Sequence, residues 1–411
     1  SSSSSSSSSS NPVPLPASAA LPPGTQPKIL LAKPPGSGPG ASKFAREDDP
    51  SGAAALRARV PPLGSLNLLV SDAWELHPDR ALPFLTENTD FTVVGVIGPP
   101  GVGKSTIMNE LYGFDGSSPG MLPPFAMQSD EMRAMARHCT IGIEIRVSSE
   151  RVILLDAQPL FSPSVLVEMM KPDGSSSIPV LNAEFLSADL AHELMGIQLG
   201  VFLASVCHVL LVVSEGIHDT SMWQLMLTVD MLKHNIPDPS SSSLAHTPSM
   251  NIGSDKEWKE NILAVAEEFM ATPVFVHTKL RNQDLSPRNV MLLKKALLCY
   301  FRSSSFCRGS RTKIDPPRSH QQETSDLKFT GPDLVLLPAR VQDERAQYES
   351  YASMLGKLRD QILSMNSHSF TKAVSELDWL RNSARIWEMV KKSPIIADYC
   401  RNLHSSGLFR K

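Results

Sequence analysis

Cysteine is scarce in this chain, and the five present (Cys139, Cys207, Cys299, Cys307 and Cys400) are scattered without a C-x-x-C pair. That spacing argues against a zinc knuckle or a disulfide framework and makes a reducing, cytoplasmic setting the expectation. Charge excess is also lacking, since 39 Lys+Arg against 42 Asp+Glu leave a net charge of −3. A chain this balanced has no broad positive field to capture nucleic acid, so no sequence-specific nucleic-acid contact is expected. The opening serine run has neither the basic segment nor the apolar core of a signal peptide. One run imitates a membrane span: residues 195–213, "MGIQLGVFLASVCHVLLVV", approach the roughly 20 apolar residues a bilayer needs. It carries Gln198, Ser205 and His208, and it reads better as an apolar helix ending near Ala204 followed by a buried strand over residues 208–213. No membrane partner is expected.

What is present falls into three parts. Residues 1–62 are rich in Ser, Pro, Ala and Gly. They hold too little apolar surface to offset the entropy of ordering, and read as a disordered tail. Within it "PKILLAKPPG" reads as linker, with a short docking motif as the alternative. From residue 63 to 341, apolar β-branched runs alternate with helical stretches. Strands are expected over residues 91–98, 150–160, 207–216, 272–280 and 333–340. Helices are expected over 183–204, 220–234, 258–270 and 287–301. This alternation predicts an α/β fold with a mainly parallel sheet and helices on both faces. Polar inserts near 238–254 and 303–330 interrupt it as mobile loops. Residues 342–411 read as a helical extension, with Trp379 and Trp387 packing on the domain core.

The run "VIGPPGVGKST" satisfies G-x-x-x-x-G-K-[ST] with Gly98, Gly103, Lys104 and Ser105. It lies between an apolar strand and a helix, the context in which backbone N–H groups and a helix N-terminus face phosphate oxygens. The phosphate cradle is therefore assigned to Gly98, Gly101, Val102, Gly103, Lys104, Ser105 and Thr106. Lys104 would reach the β- and γ-phosphates and Ser105 would face Mg²⁺. "VILLD" ends on Asp156, placed to hold Mg²⁺; the alternative is an aspartate capping the next turn. Thr140 in "HCTIGIEI" sits where a switch threonine would complete the Mg²⁺ shell, with an ordinary strand-start threonine as the alternative.

"TIGI" followed by "VILLDAQPL" resembles the G domains of the dynamin superfamily, especially atlastins and guanylate-binding proteins. Together with "GVGKS", "VCHVLLVV" and the tail "ARIWEMVKKSPIIADYCRNL", the chain from about residue 66 onward resembles more closely the G-domain subunits of the SMG kinase complex. That complex acts in nonsense-mediated mRNA decay. The resemblance implies a P-loop, G-domain-like fold. It also implies two partners: a second G-like subunit forming a heterodimer, and a large phosphatidylinositol-3-kinase-related protein kinase.

Several positions depart from a working GTPase. Where atlastin-like enzymes carry an arginine in the phosphate loop, this chain has Gly101, preceded by Pro99 and Pro100. Such an arginine is worth ~10³–10⁵ in rate. The third-motif glycine, whose N–H meets γ-phosphate, is replaced by Pro159, which has no N–H. Leu160 stands where Ras-type enzymes place a catalytic glutamine, with Gln158 a neighbouring substitute. On the base side, "TKLR" offers Thr278 and Lys279 to a purine but puts Arg281 where a carboxylate reads guanine. A one-residue insertion puts Asn282 there instead, and Asp284 lies further on. These features predict a regulatory subunit that binds ATP or GTP/GDP with Mg²⁺ and has no catalytic residues. Two readings compete with it: an active dynamin-like GTPase that cycles with a partner, and a nucleotide-free scaffold.

Overall fold

The computed structural model describes residues 67–114, 116, 121–135, 137–170, 186–241, 244, 269–307, 331–340, 348–365 and 370–406. The Ser/Pro tail, most of the helix expected over 258–270, and most of both polar inserts lie outside them.

Seven strands are ordered β1-β3-β4-β2-β5-β6-β7 in one sheet. They are β1 (Leu68–Val70), β2 (Thr92–Ile97), β3 (Ile143–Val147), β4 (Val152–Ala157), β5 (Val209–Glu215), β6 (Thr272–Leu280) and β7 (Asp333–Pro338). Strands β4, β2, β5, β6 and β7 run parallel, whereas β1–β3 and β3–β4 are antiparallel. The fold is thus an α/β, mainly parallel sheet of the G-domain-like kind. The five expected strands are its parallel part. β1 and β3 are the additions, because a three-residue strand and a strand with alternating Ile143/Glu144/Ile145 give weak apolar runs.

The helices are α1 (Pro78–Ala81), α2 (Lys104–Tyr112), α3 (Asp130–Ala134), α4 (Pro163–Met169), α5 (Ala188–Val206), α6 (Ser221–Leu232), α7 (Pro287–Tyr300), α8 (Tyr351–Ser364), α9 (Glu376–Lys391) and α10 (Pro394–Ser405). Alternating residues of β2 go to different layers. Val94 and Val96 pack with Ile107, Met108 and Leu111 of α2 and with Leu355 and Leu358 of α8. Val93 and Ile97 pack on the opposite face with α5, α6 and the C-terminal helices. Burial on both faces is why the parallel strands read as unbroken apolar runs.

α5 is the run that imitates a membrane span. Among the described residues no helix is long and apolar enough to cross a membrane. Its polar groups are satisfied inside the protein. Gln198 Oε1 accepts from Trp74 Nε1 at 2.7 Å, and Ser205 Oγ donates to the Val201 carbonyl at 2.7 Å. On α9, Trp379, Leu380, Ser383, Ile386, Trp387 and Val390 form one buried stripe at helical spacing. Trp379 Nε1 donates to the Val206 carbonyl at 2.8 Å and Trp387 Nε1 to the Trp74 carbonyl at 3.2 Å.

The start of the first insert departs from the mobile loop expected there. Lys372 N–H donates to Ser240 Oγ at 2.9 Å, Asn382 Nδ2 to the Pro239 carbonyl at 2.7 Å and Arg385 to the Leu244 carbonyl at 2.7 Å. Polar side chains of a helix 140 or so residues downstream hold this stretch, a long-range contact that composition does not reveal.

Candidate functional site

The phosphate loop leaves β2 where the sheet order turns, with β4 on one side and β5 on the other. Such a crevice at the carboxyl ends of parallel strands is where α/β sheets bind ligands. Two glycines are required by local geometry. A Cβ on Gly98 would lie 2.2 Å from the Val213 carbonyl oxygen, and Gly103 holds φ +96° as it opens α2. Val102 is buried, and its carbonyl accepts from Thr278 Oγ1 at 3.0 Å. Thr278 also donates to the Ser214 carbonyl at 3.3 Å. It clamps the loop to β5 and β6.

Lys104, Ser105 and Thr106 form the first turn of α2. Lys104 is buried, and its Nζ donates to the Gly98 and Pro99 carbonyls, both at 3.0 Å. Burial lowers its pKa to about 8, opposed by the nearby Asp156 carboxylate. Asp156 is fully buried. Ser105 Oγ donates to its Oδ2 at 2.7 Å and Thr140 Oγ1 to the same oxygen at 3.2 Å. Its other oxygen, Oδ1, is buried with no hydrogen-bond partner. Burial raises the Asp156 pKa, against the pull of Lys104 and the two hydroxyls.

Both shifts are toward the neutral forms. Burial outweighs the mutual attraction of Lys104 and Asp156, so the ammonium and the carboxylate with its orphan oxygen can each take a closer counter-charge. Phosphate would supply one and a divalent cation the other. The residues therefore fit Mg²⁺: two hydroxyls and one carboxylate converge, and oxygen is the ligand Mg²⁺ prefers. Among the described residues no group of three or more His, Cys, Asp or Glu forms a metal cage.

The three metal candidates are thus brought together, although Ser105 lies 51 residues before Asp156 in the chain. Gln158, the neighbouring substitute for a catalytic glutamine, is engaged within the protein. Gln158 is buried and its Oε1 accepts from Gly142 N–H at 3.0 Å. Leu160 lies in the core, with its N–H on the Gly98 carbonyl at 3.0 Å.

No family model matches the chain. Curated relatives do. The nonsense-mediated mRNA decay factor SMG9 of Xenopus tropicalis is 30% identical over 351 residues, covering 79% of this chain and 64% of that protein. SMG9 of Xenopus laevis is 31% identical over the same shares. SMG9 of Caenorhabditis elegans is 25% identical over 314 residues, 74% of this chain and 69% of that one. The chain is similar to these decay factors over most of its own length. It spans about 64% of the length of the Xenopus relatives. Among solved structures, translation elongation factor SelB from Methanococcus maripaludis, in complex with the GTP analogue GppNHp, covers 68% of this chain and 36% of that chain. At 13% identity and a TM-score of 0.29, that likeness carries no argument.

The residues expected to read the base are engaged within the protein. Lys279, at φ +57°, donates to Glu215 Oε2 at 2.6 Å. Asp284 Oδ2 accepts from Arg281 N–H at 2.9 Å, closing a turn. Two features near the Mg²⁺ candidates escape a motif search. Glu144 faces Asp156 across the β3–β4 pair. Burial, then Asp156, pushes its pKa up to about 7, against Arg146. His138 lies 2.9 Å from Ser164 Oγ through Nδ1. The only sequence signal for Glu144 is its place between Ile143 and Ile145, which turns it to the opposite face of β3.

Proposed function

We propose that the chain is a regulatory subunit of a phosphatidylinositol-3-kinase-related kinase complex in nonsense-mediated mRNA decay. It binds a purine nucleotide, ATP or GTP/GDP, with Mg²⁺ and hydrolyses it very slowly. A second G-like subunit is its heterodimer partner. The SMG9 relatives support the pathway. The kinase and the second subunit follow from the resemblance of the motifs.

One observation carries the nucleotide reading. Ser105 and Thr140 converge on Asp156, whose Oδ1 has no partner, beside a buried Lys104. Mg²⁺ there would neutralise charge on the β- and γ-oxygens. Ser105, Thr140 and Asp156 would hold it, and Lys104 would exchange two loop carbonyls for phosphate oxygens. Nothing in this constellation activates water. Pro159 has no N–H for the γ-phosphate. Gly101 adds no cation, and Gln158 is occupied by Gly142. A kinase regulator requires no turnover, since differential affinity for two kinase states is sufficient to shift their populations.

The test has two arms. Purified chain is denatured and the released nucleotide identified by chromatography; a purine nucleotide is expected, near one per chain. Phosphate release by the native chain is then followed. Rapid release abolished by Lys104→Ala would make the chain a cycling NTPase and overturn the regulatory reading.

A further inference from the structure

Residues 138–142 and 156–168 are fastened together at every second residue of the first segment. His138 Nδ1 lies 2.9 Å from Ser164 Oγ, and its Nε2 faces Glu168 Oε2 at 3.5 Å. Thr140 follows, with its hydroxyl on Asp156 Oδ2. Gly142 completes the series in both directions. Its N–H donates to Gln158 Oε1 at 3.0 Å, and its carbonyl accepts from Gln158 N–H at 2.8 Å. Gly142 is also wedged against β1. It has φ +56°, and a Cβ there would lie 2.0 Å from the Val70 carbonyl oxygen. Residues 138–142 are therefore held from both sides by the protein's own groups.

A G protein that reports its nucleotide state requires this segment to have two arrangements, one of them favoured by the γ-phosphate. A ligand pair that meets only one arrangement cannot shift a population. The groups that hold the segment here are Asp156, Gln158, Ser164 and Glu168, none of which depends on a γ-phosphate.

We propose that Gln158 is a positioning residue that fixes residues 138–142 in one arrangement, so that the site accepts nucleoside di- and triphosphates alike. This rests on the nucleotide-binding reading above. It gives Gln158 a use opposite to that of a catalytic glutamine: its amide is spent on the segment that leads into β3. The missing N–H at Pro159 acts in the same direction, since it removes a contact that only a triphosphate would make.

The experiment combines amide hydrogen exchange with nucleotide titration on the full chain. The probes are GDP, ADP and their imido-triphosphate analogues, each with Mg²⁺. In the unaltered protein, amides of residues 138–142 are expected to be equally protected without nucleotide, with diphosphate and with analogue. For each base, affinities for diphosphate and analogue are expected to agree within about tenfold. Gln158→Met keeps the side-chain volume and removes the acceptor. In that variant, protection is expected to fall and to return only with the triphosphate analogue. Gln158→Glu keeps an acceptor oxygen and is expected to restore ligand-independent protection. Ser164→Ala loosens the far end and is expected to release residues 138–139 without disturbing Gly142. Protection in the unaltered protein that appears only with the triphosphate analogue would overturn the proposal while leaving nucleotide binding intact. If no nucleotide binds, the binding reading fails and the equal acceptance of di- and triphosphates with it. Exchange in the nucleotide-free chain would then still decide whether Gln158 holds the strand.

Discussion

Arg151 and Glu376, 225 residues apart in the chain, meet in a two-pronged ion pair. Arg151 Nε donates to Glu376 Oε1 at 2.8 Å, and its terminal nitrogen donates to Oε2. Glu376 is fully buried and also accepts from Thr86 N–H at 2.7 Å and Thr86 Oγ1 at 3.1 Å. The pair pins the first turn of α9 to the tight turn between β3 and β4. Removing one partner leaves the other charge uncompensated in a low-dielectric setting. Glu376→Ala is expected to destabilise the fold by ~3–5 kcal/mol. Urea unfolding measures this, and a loss below about 1 kcal/mol would place the pair among dispensable surface bridges.

Lys104→Ala removes the cation assigned to the β- and γ-phosphates. Nucleotide affinity is expected to fall by about a hundredfold or more, the size of a lost charge-assisted hydrogen bond. Folding should be preserved, because Lys104 donates only to the carbonyls of its own loop. Calorimetric titration checks the affinity. Unchanged nucleotide retention would sink the loop assignment.

Asp156→Asn tests the cation site separately. The carboxylate that faces Ser105 and Thr140 becomes neutral. Nucleotide binding is expected to lose its dependence on Mg²⁺ concentration, while residual Mg²⁺-free binding through Lys104 remains. Titration with and without EDTA reads the difference.

Base choice follows from the residues after β6. Neither Arg281 nor Asn282 brings a carboxylate, and Asp284 is committed to the Arg281 N–H. ATP and GTP are expected to bind within about tenfold of each other, a gap of ~1.4 kcal/mol. Asp284→Ala is expected to leave that ratio unchanged. A strong GTP preference erased by this substitution would make Asp284 the guanine reader.

His208 sets a pH dependence. Burial lowers its pKa to about 4, and its Nδ1 accepts from Val93 N–H at 2.9 Å. A folded pKa below the ordinary histidine value means the unfolded chain binds the extra proton first. Stability is then fully present above about pH 6.5 and is lost, by about 3 kcal/mol in the limit, as pH falls toward 4. Glu144 acts with the opposite sign, because its raised folded pKa removes stability as pH rises through about 7. The comparison with His208→Asn isolates the histidine. Asparagine keeps an acceptor for Val93 but does not titrate. The variant is expected to be less stable at neutral pH and to show a flatter loss between pH 6.5 and 4.

The parallel strands, the phosphate loop and α5 were legible because each depends on local rules. Strands buried on both faces leave unbroken apolar runs, and "GPPGVGKS" carries its own turn and helix start. The helix face read from Trp379, Ile386, Met389 and Val390 was legible for the same reason, except that Met389 is exposed and Trp387 is buried in the stripe instead. β1 and β3 were not legible, since β1 is a three-residue edge strand and in β3 Glu144 and Arg146 alternate with apolar residues. The tethering of residues 238–241 to α9 was equally hidden, because it depends on helical side chains far along the chain.

The same division runs through the site. Residue types alone assigned Lys104, Ser105 and Asp156 to phosphate and Mg²⁺, and ruled Gly101, Pro159 and Leu160 out of catalysis, because a missing cation or N–H is missing in any conformation. Only the tertiary structure decided what the ambiguous side chains do. Thr140 donates to Asp156, Thr278 clamps the Val102 carbonyl, Asp284 closes a turn, and Gln158 is bound to Gly142. A hydroxyl, an amide or a carboxylate can serve either a ligand or the backbone. Which one it serves depends on the strand that the fold brings within hydrogen-bonding reach.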